Sequence, residues 1–170
     1  CETIRATVVG AGTYTTSISG STITYSEGLL PLKNIPVIRI SEHLQDKLFK
    51  GDTAETIEYI RWQQEQSRVS SIMLALPGRR DPSWQDMKKA AASISEVMDA
   101  VLPGTAPALI VIENDIAKAM GMMIKDIPGF SRDIICIDGI HVEDGEYVDM
   151  GRPVMNGLVI PVVVKTLIFG

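Results

Sequence analysis

The residues best placed to do chemistry fall in four short polar runs: Ser41-Glu42-His43, Gly78-Arg79-Arg80-Asp81, Glu113-Asn114-Asp115 and Asp138-Gly139-Ile140-His141. Each comes after an apolar stretch of strand type, and open parallel sheets bind ligands beyond the carboxyl ends of their strands. Arg79 and Arg80 have the charge and shape to fork onto a phosphate or carboxylate. Glu113, Asp115, Asp138 and His141 would lie on the same edge and hold or repel a partner there. A plainer account makes Asp115 a helix cap, Asp138 a turn residue and the arginines a solvated loop. His43 and His141 are far apart, and no motif sets a serine or cysteine nucleophile beside either, so no hydrolytic triad is expected.

Gly10-x-Gly12 offers the glycine pair of a dinucleotide loop but not its remainder. Such a loop should open a helix, with an acid about 20 residues further on. The segment Thr13 to Tyr25 is instead β-branched and alternating, with Gly20-Ser21 suited to a turn, which predicts a hairpin. The acids Glu143, Asp144, Glu146 and Asp149 lack the spacing and closing glutamate of a calcium loop, and read as an exposed hairpin. Asp144-Gly-Glu-Tyr-Val-Asp-Met-Gly is similar to a turn of biotinyl and lipoyl carrier barrels, but Lys165 sits in a strand-like run, not on a hairpin tip. Met120, Met122 and Met123 offer adaptable surface or core. Met122 falls off the apolar stripe of its helix.

Periodicity sets the elements that would position these residues. Strands are expected over 36–40, 71–76, 109–112 and 133–137. Between them lie three amphipathic helices: one from Thr53 to about Arg68, one from a Ser83 cap to about Val101, and one capped by Asp115 that buries Ile116, Ala119, Met120 and Met123. Such alternation predicts parallel strands with right-handed crossovers and helices covering the sheet. From Asp138 the pattern is β alone, and Asn156-Gly157 is the strongest hairpin signal in the chain. The expected fold is α/β, a mostly parallel sheet flanked by helices with β-hairpins at both ends. One domain is divided as 1–34, 35–138 and 139–170.

At 170 residues with 45% hydrophobic side chains, the chain can bury a sizeable core. A net charge of −5 without a basic stripe argues against nucleic acid as a partner. No apolar run approaches the length of about 18 residues that a membrane helix needs. VIPVVVKTLIF at 159–169 is interrupted by Pro161 and Lys165 and reads as buried strand. Cys1 and Cys136 lack metal or disulfide spacing, which suits a reduced, cytoplasmic setting, with Cys136 a small core residue. A start at Cys1-Glu2 suggests a piece of a longer protein.

RATVVGAGTYTTSISGSTITY at 5–25, LLPLKNIPV at 29–37, LALPG at 74–78, KAMGMMI at 118–124 and YVDMGRPVMNGLVIPVVVKTLIF at 147–169 together resemble the carboxyl-terminal part of the ethanolamine ammonia-lyase reactivating factor family, EutA. That family is similar to actin-like and sugar-kinase ATPases, whose nucleotide sites use DxGxxT and DxGGGT loops. Neither loop is present, and Val8 stands where an acid would precede Gly10. The resemblance therefore implies ATP and magnesium for the whole protein, bound upstream of Cys1, and assigns no catalytic residue or cofactor here. It implies a chaperone in ethanolamine catabolism that exchanges damaged adenosylcobalamin, with ethanolamine ammonia-lyase as partner. It also implies a cytoplasmic place associated with a bacterial microcompartment. Residues 2–12 would be helical by resemblance, whereas Thr3, Ile4, Thr7, Val8 and Val9 favour strand. The alternatives are a small-ligand-binding or enzymatic α/β domain using the strand edge, and an assembly interface that builds a homo-oligomer.

Overall fold

The computed structural model describes residues 12–167. The Gly10 turn, the strand-or-helix question over 2–11 and Cys1 lie outside the described residues. In chain order the elements are β1 (Gly12–Ile18), β2 (Thr24–Tyr25), β3 (Leu32–Arg39), α1 (Glu42–Phe49), α2 (Ala54–Ser67), β4 (Met73–Leu76), α3 (Trp84–Val101), β5 (Ala108–Ile112), α4 (Ala117–Lys125), β6 (Ile134–Asp138), β7 (Tyr147–Met150) and β8 (Pro161–Leu167).

These strands form one mixed sheet in the order β1-β8-β7-β3-β4-β5-β6-β2. Its centre, β3 to β6, is parallel, as the strand–helix alternation requires. The α/β class with a parallel centre and flanking helices is as the sequence implies. The parallel strands run in sequential order, so right-handed crossovers put every helix on one face. Alternation along the strands makes this visible. Ile38, Leu74, Ile110 and Cys136 pack with residues of α1 to α4. Val37, Met73, Leu109 and Ile135 face the other way, onto Val148, Val162 and Val164 of the antiparallel strands, in a core that contains no helical residue. The sheet curls around this second core, and the expectation of helices covering the sheet holds on one side only.

The segment 13–25 does not fold back on itself as the hairpin expectation required. β1 pairs with β8 and β2 pairs with β6, at opposite ends of the strand order. The residues between them cross the mouth of the curl: the Ser19 amide donates to the Ile160 carbonyl (2.9 Å) and the Gly20 amide to the Asp138 carbonyl (3.0 Å). Ser19 Oγ in turn accepts from the Ile160 amide at 2.8 Å. Backbone donors satisfied across the gap outweigh the local turn preference of Gly20-Ser21. At the other end the hairpin forms as expected. β7 and β8 are antiparallel, and Val154 and Val159 bridge across a loop holding Asn156 and Gly157 at positive φ.

Among the described residues there are four helices, one more than periodicity suggested. Ser41 caps α1 by accepting from the Leu44 amide, so Glu42 and His43 open a helix instead of ending a strand. Ser83 caps α3 as expected, accepting from the Asp86 amide. Thr53 holds the cap position of α2, but its hydroxyl donates to Glu96 (2.6 Å) instead. The cap position of α4 is Ile116 without a side-chain bond, and Asp115 is exposed outside it. This helix buries Ala117, Met120, Gly121 and Ile124, while Ala119 is exposed and Ile116 and Met123 are half-buried. The helix starts one residue later than an Asp115 cap would set it, and its apolar face centres on Ala117, Met120, Gly121 and Ile124, of which only Met120 belongs to the expected set.

Candidate functional site

The carboxyl edge of the parallel strands divides by face. β3 and β5 alternate so that Arg39 and Glu113 continue the rows of Val37 and Val111, on the side of the curled core. There Arg39 forms an ion pair with Glu113 and approaches Glu143 at 3.4 Å. His141 Nδ1 lies 2.5 Å from Glu113 Oε2, and Nε2 lies 3.5 Å from Glu143. One guanidinium and one imidazole thus interlock with two carboxylates over the apolar interior. Asp144 fastens the rim by accepting from the Arg39 amide and from the Tyr59 phenol, the latter at 2.6 Å. Burial, then this bond to Asp144, raises the Tyr59 phenol above its ordinary range. A cavity of about 390 Å³ opens beside the cluster, lined by Arg39, Ser41, Leu44, Tyr59 and Asp144 among others.

The other candidates stand on the helical side. Arg79 donates to Asp46 of α1 at 2.6 Å and stacks its guanidinium 4.2 Å from the Phe49 ring centroid. It is half-buried, not a solvated loop residue, and one nitrogen of its fork is already taken by Asp46. Arg80 is exposed. The loop that carries them is set by Gln45, which donates to the Gly78 carbonyl (2.9 Å) and accepts from the Gly78 amide (2.7 Å). Asp138 ends β6 in the sheet, 5% exposed, and accepts from the Thr22 hydroxyl. Its other oxygen has no partner. The structure therefore brings Glu113 and His141 together, and leaves Arg79, Arg80, Asp115 and Asp138 separately engaged or apart. Arg39, Tyr59 and Gln45 are not among the candidates that the sequence suggests. A charged residue inside Val37-Ile38-Arg39-Ile40 is the available signal for the first.

Further along the helical side, the 81–82 loop, the start of α3 and α4 enclose two adjoining hollows of about 320 and 250 Å³ that share Trp84 and Met123. Trp84 is 66% exposed and Met122 51%.

Most carboxylates around the cluster already have partners, whereas Asp115 is exposed and one oxygen of Asp138 has none. Glu113 and Glu143 face Arg39 and His141, Glu146 accepts from the Glu143 amide and the Thr166 hydroxyl, and Asp149 pairs with Lys165 at 2.9 Å. Among the described residues no three acid, histidine or cysteine side chains converge as a metal site would need. Nor is any described helix long and apolar enough to cross a membrane.

The chain is similar to two curated relatives, each named ethanolamine ammonia-lyase reactivase EutA. The Salmonella typhimurium protein is 33% identical and the Escherichia coli protein 34%, each over 99% of this chain. The chain spans 34% of the length of either relative. No solved structure matches it significantly. The profile of the ethanolamine utilisation protein EutA family matches residues 1–170, end to end, and the chain belongs to that family.

Proposed function

We propose that this chain is the carboxyl-terminal region of a chaperone-like reactivase for ethanolamine ammonia-lyase, and that it contributes contact and movement while phosphate chemistry belongs to other parts of the protein. The relatives' printed name supports the target enzyme. The observation that carries the division of labour is that Glu113, Glu143 and Asp144 at the rim are already engaged by Arg39, His141 and Tyr59, and Asp149 by Lys165. Groups so engaged are poorly placed to hold a metal-bound phosphate. In the whole protein, nucleotide state would bias a conformational equilibrium of the complex with the lyase, favouring release of damaged adenosylcobalamin. The rigid curled sheet would transmit that bias. Its charge cluster, with Arg39 and Glu113 largely covered, would tie β3, β5 and the 141–143 segment together at the mouth of the inner core.

The test is reactivation. The full-length protein, mixed with ammonia-lyase inactivated in turnover, should restore activity when ATP, magnesium and intact adenosylcobalamin are added. Deletion of the segment matching 12–167 should abolish the recovery while leaving nucleotide turnover by the remainder. Undiminished recovery after that deletion would remove the proposed role.

A further inference from the structure

The groove between the start of α3 and α4 has an organisation the fold does not need. An indole 66% exposed at the first position of a helix adds little to its own domain. The same residue type is over-represented at the energetic centres of protein interfaces. The floor is apolar, from Pro82, Ala91, Ile116, Met123 and Ile127. Methionine supplies a surface that adapts to a docking side chain.

The lining also carries charge of mainly one sign. Asp81, Asp115 and Asp126 border the two hollows, against a single ammonium from Lys88. An apolar floor under an acidic border complements a ridge that presents an apolar side chain flanked by lysine or arginine. The tip of the β7–β8 hairpin shows Val154, Met155 and Leu158, and the hollow that reaches Pro153 is lined by none of the three.

We propose that this groove is the surface on which the reactivase docks ethanolamine ammonia-lyase, through a basic-flanked apolar ridge of the lyase, with Trp84 as the anchor. The inference rests on the reading of the chain as part of a lyase reactivase. Trp84 fills an apolar niche of the partner, and Asp115 and Asp126 meet its flanking cations.

The experiment titrates purified ammonia-lyase against the full-length reactivase by calorimetry at two salt concentrations. Compared are the wild type, Trp84→Ala, Asp115→Lys and, as a control on the outer side of α2, the exposed Trp62→Ala. Thermal midpoints establish that each variant is folded. Trp84→Ala should weaken binding at least about tenfold, as loss of an aromatic anchor does. Asp115→Lys, which disturbs no cap or core residue, should weaken it several-fold, and Trp62→Ala should leave it within about twofold. Wild-type affinity should fall as salt rises. Hydroxyl-radical footprinting should show residue 84 reactive in the free reactivase and protected by the lyase. Equal binding by the wild type, Trp84→Ala and Asp115→Lys overturns the groove while leaving the reactivase reading intact. Protection of residue 84 in the free full-length protein also overturns it, because the groove would then be filled by the protein's own chain. Failure of the wild type to bind the lyase removes both readings together.

Discussion

Gly20 lies against Asp138 so closely that a Cβ built on it would stand 2.7 Å from the Asp138 carboxyl carbon, while its amide donates to the Asp138 carbonyl at 3.0 Å. The glycine is required here by space, not by backbone angle. Asp138 is buried and bonded to Thr22, so it has little room to withdraw. Gly20→Ala should cost about 1–3 kcal/mol, the usual range for overpacking a filled site. Denaturant unfolding with a midpoint equal to wild type would show the crossing to be loosely packed.

Cys136 should be chemically silent in the folded protein. Full burial raises its thiol far above the ordinary range, the charge of Asp138 adds to this, and a hydrogen bond from the Gly121 amide opposes it only in part. A thiolate is the reactive species. Iodoacetamide at pH 8 should leave Cys136 unmodified in native protein and label it fully in guanidinium, read by mass spectrometry of the peptide. Rapid native labelling would contradict the packing.

Arg39 should be energetically coupled to Glu113. Both are largely covered, and removing the guanidinium leaves Glu113 and Glu143 without their shared cation. Arg39→Ala should lose about 1–3 kcal/mol of stability. A double-mutant cycle with Glu113→Gln should return a coupling of roughly 0.5–3 kcal/mol. A coupling of zero would reduce the pair to a surface contact.

Asp149 supplies a pH signature. Partial burial works to raise its carboxyl, but the Asn34 amide and the Lys165 and Lys33 ammonium groups outweigh this and hold it below the usual carboxylate range. With an unfolded value near 3.9, its stabilising contribution is complete above about pH 5 and lost as pH falls through the lower folded value. The melting temperatures of wild type and Asp149→Asn should differ by a constant amount between pH 5 and 7, and converge below about pH 4. A gap that widened on acidification would reverse the assignment.

The 170-residue chain alone should not be stabilised by magnesium-ATP. A thermal shift beyond about 2 °C at millimolar nucleotide would signal binding of real affinity. Such a shift would contradict the reading that Glu113, Glu143 and Asp144 are too engaged to hold a metal-bound phosphate.

The features legible in the chain are those that local periodicity determines. Ile110 and Cys136 sit in apolar runs too short for helices, and Ser83 announces α3 through its cap. The α1 helix is hidden because Ser41-Glu42-His43 reads equally as the polar end of a strand, and the helix behind it has only eight residues. The partners of β1 are illegible for a different reason. Its residues favour a strand but carry nothing that selects Val163 or Val164 over a nearer neighbour, and the Ser19–Ile160 bonds form across 141 positions. The site shows the same limit. Glu113 and His141 are recognisable as edge groups, but Arg39 reaches Glu113 across 74 positions, and only the curl of the sheet brings them to one mouth. Asp115 is not the cap its position suggests, because an aspartate before an apolar helix is compatible with either a cap or a free rim position.

The antiparallel ribbon of β1 and β8 has a mechanical consequence. Seven residue pairs, Gly12–Leu167 to Ile18–Pro161, run in series, and just beyond the last of them the chain is pinned to Ile160 and Asp138. A tug along β1 from its Gly12 end is resisted by all seven rungs at once, in shear, and by the pin behind them. A sideways pull at the same end opens the rungs one by one, like a zipper. The ribbon is therefore stiff to axial displacement and soft to peeling, so the direction of an incoming stroke decides whether it moves the entire sheet or merely frays its border.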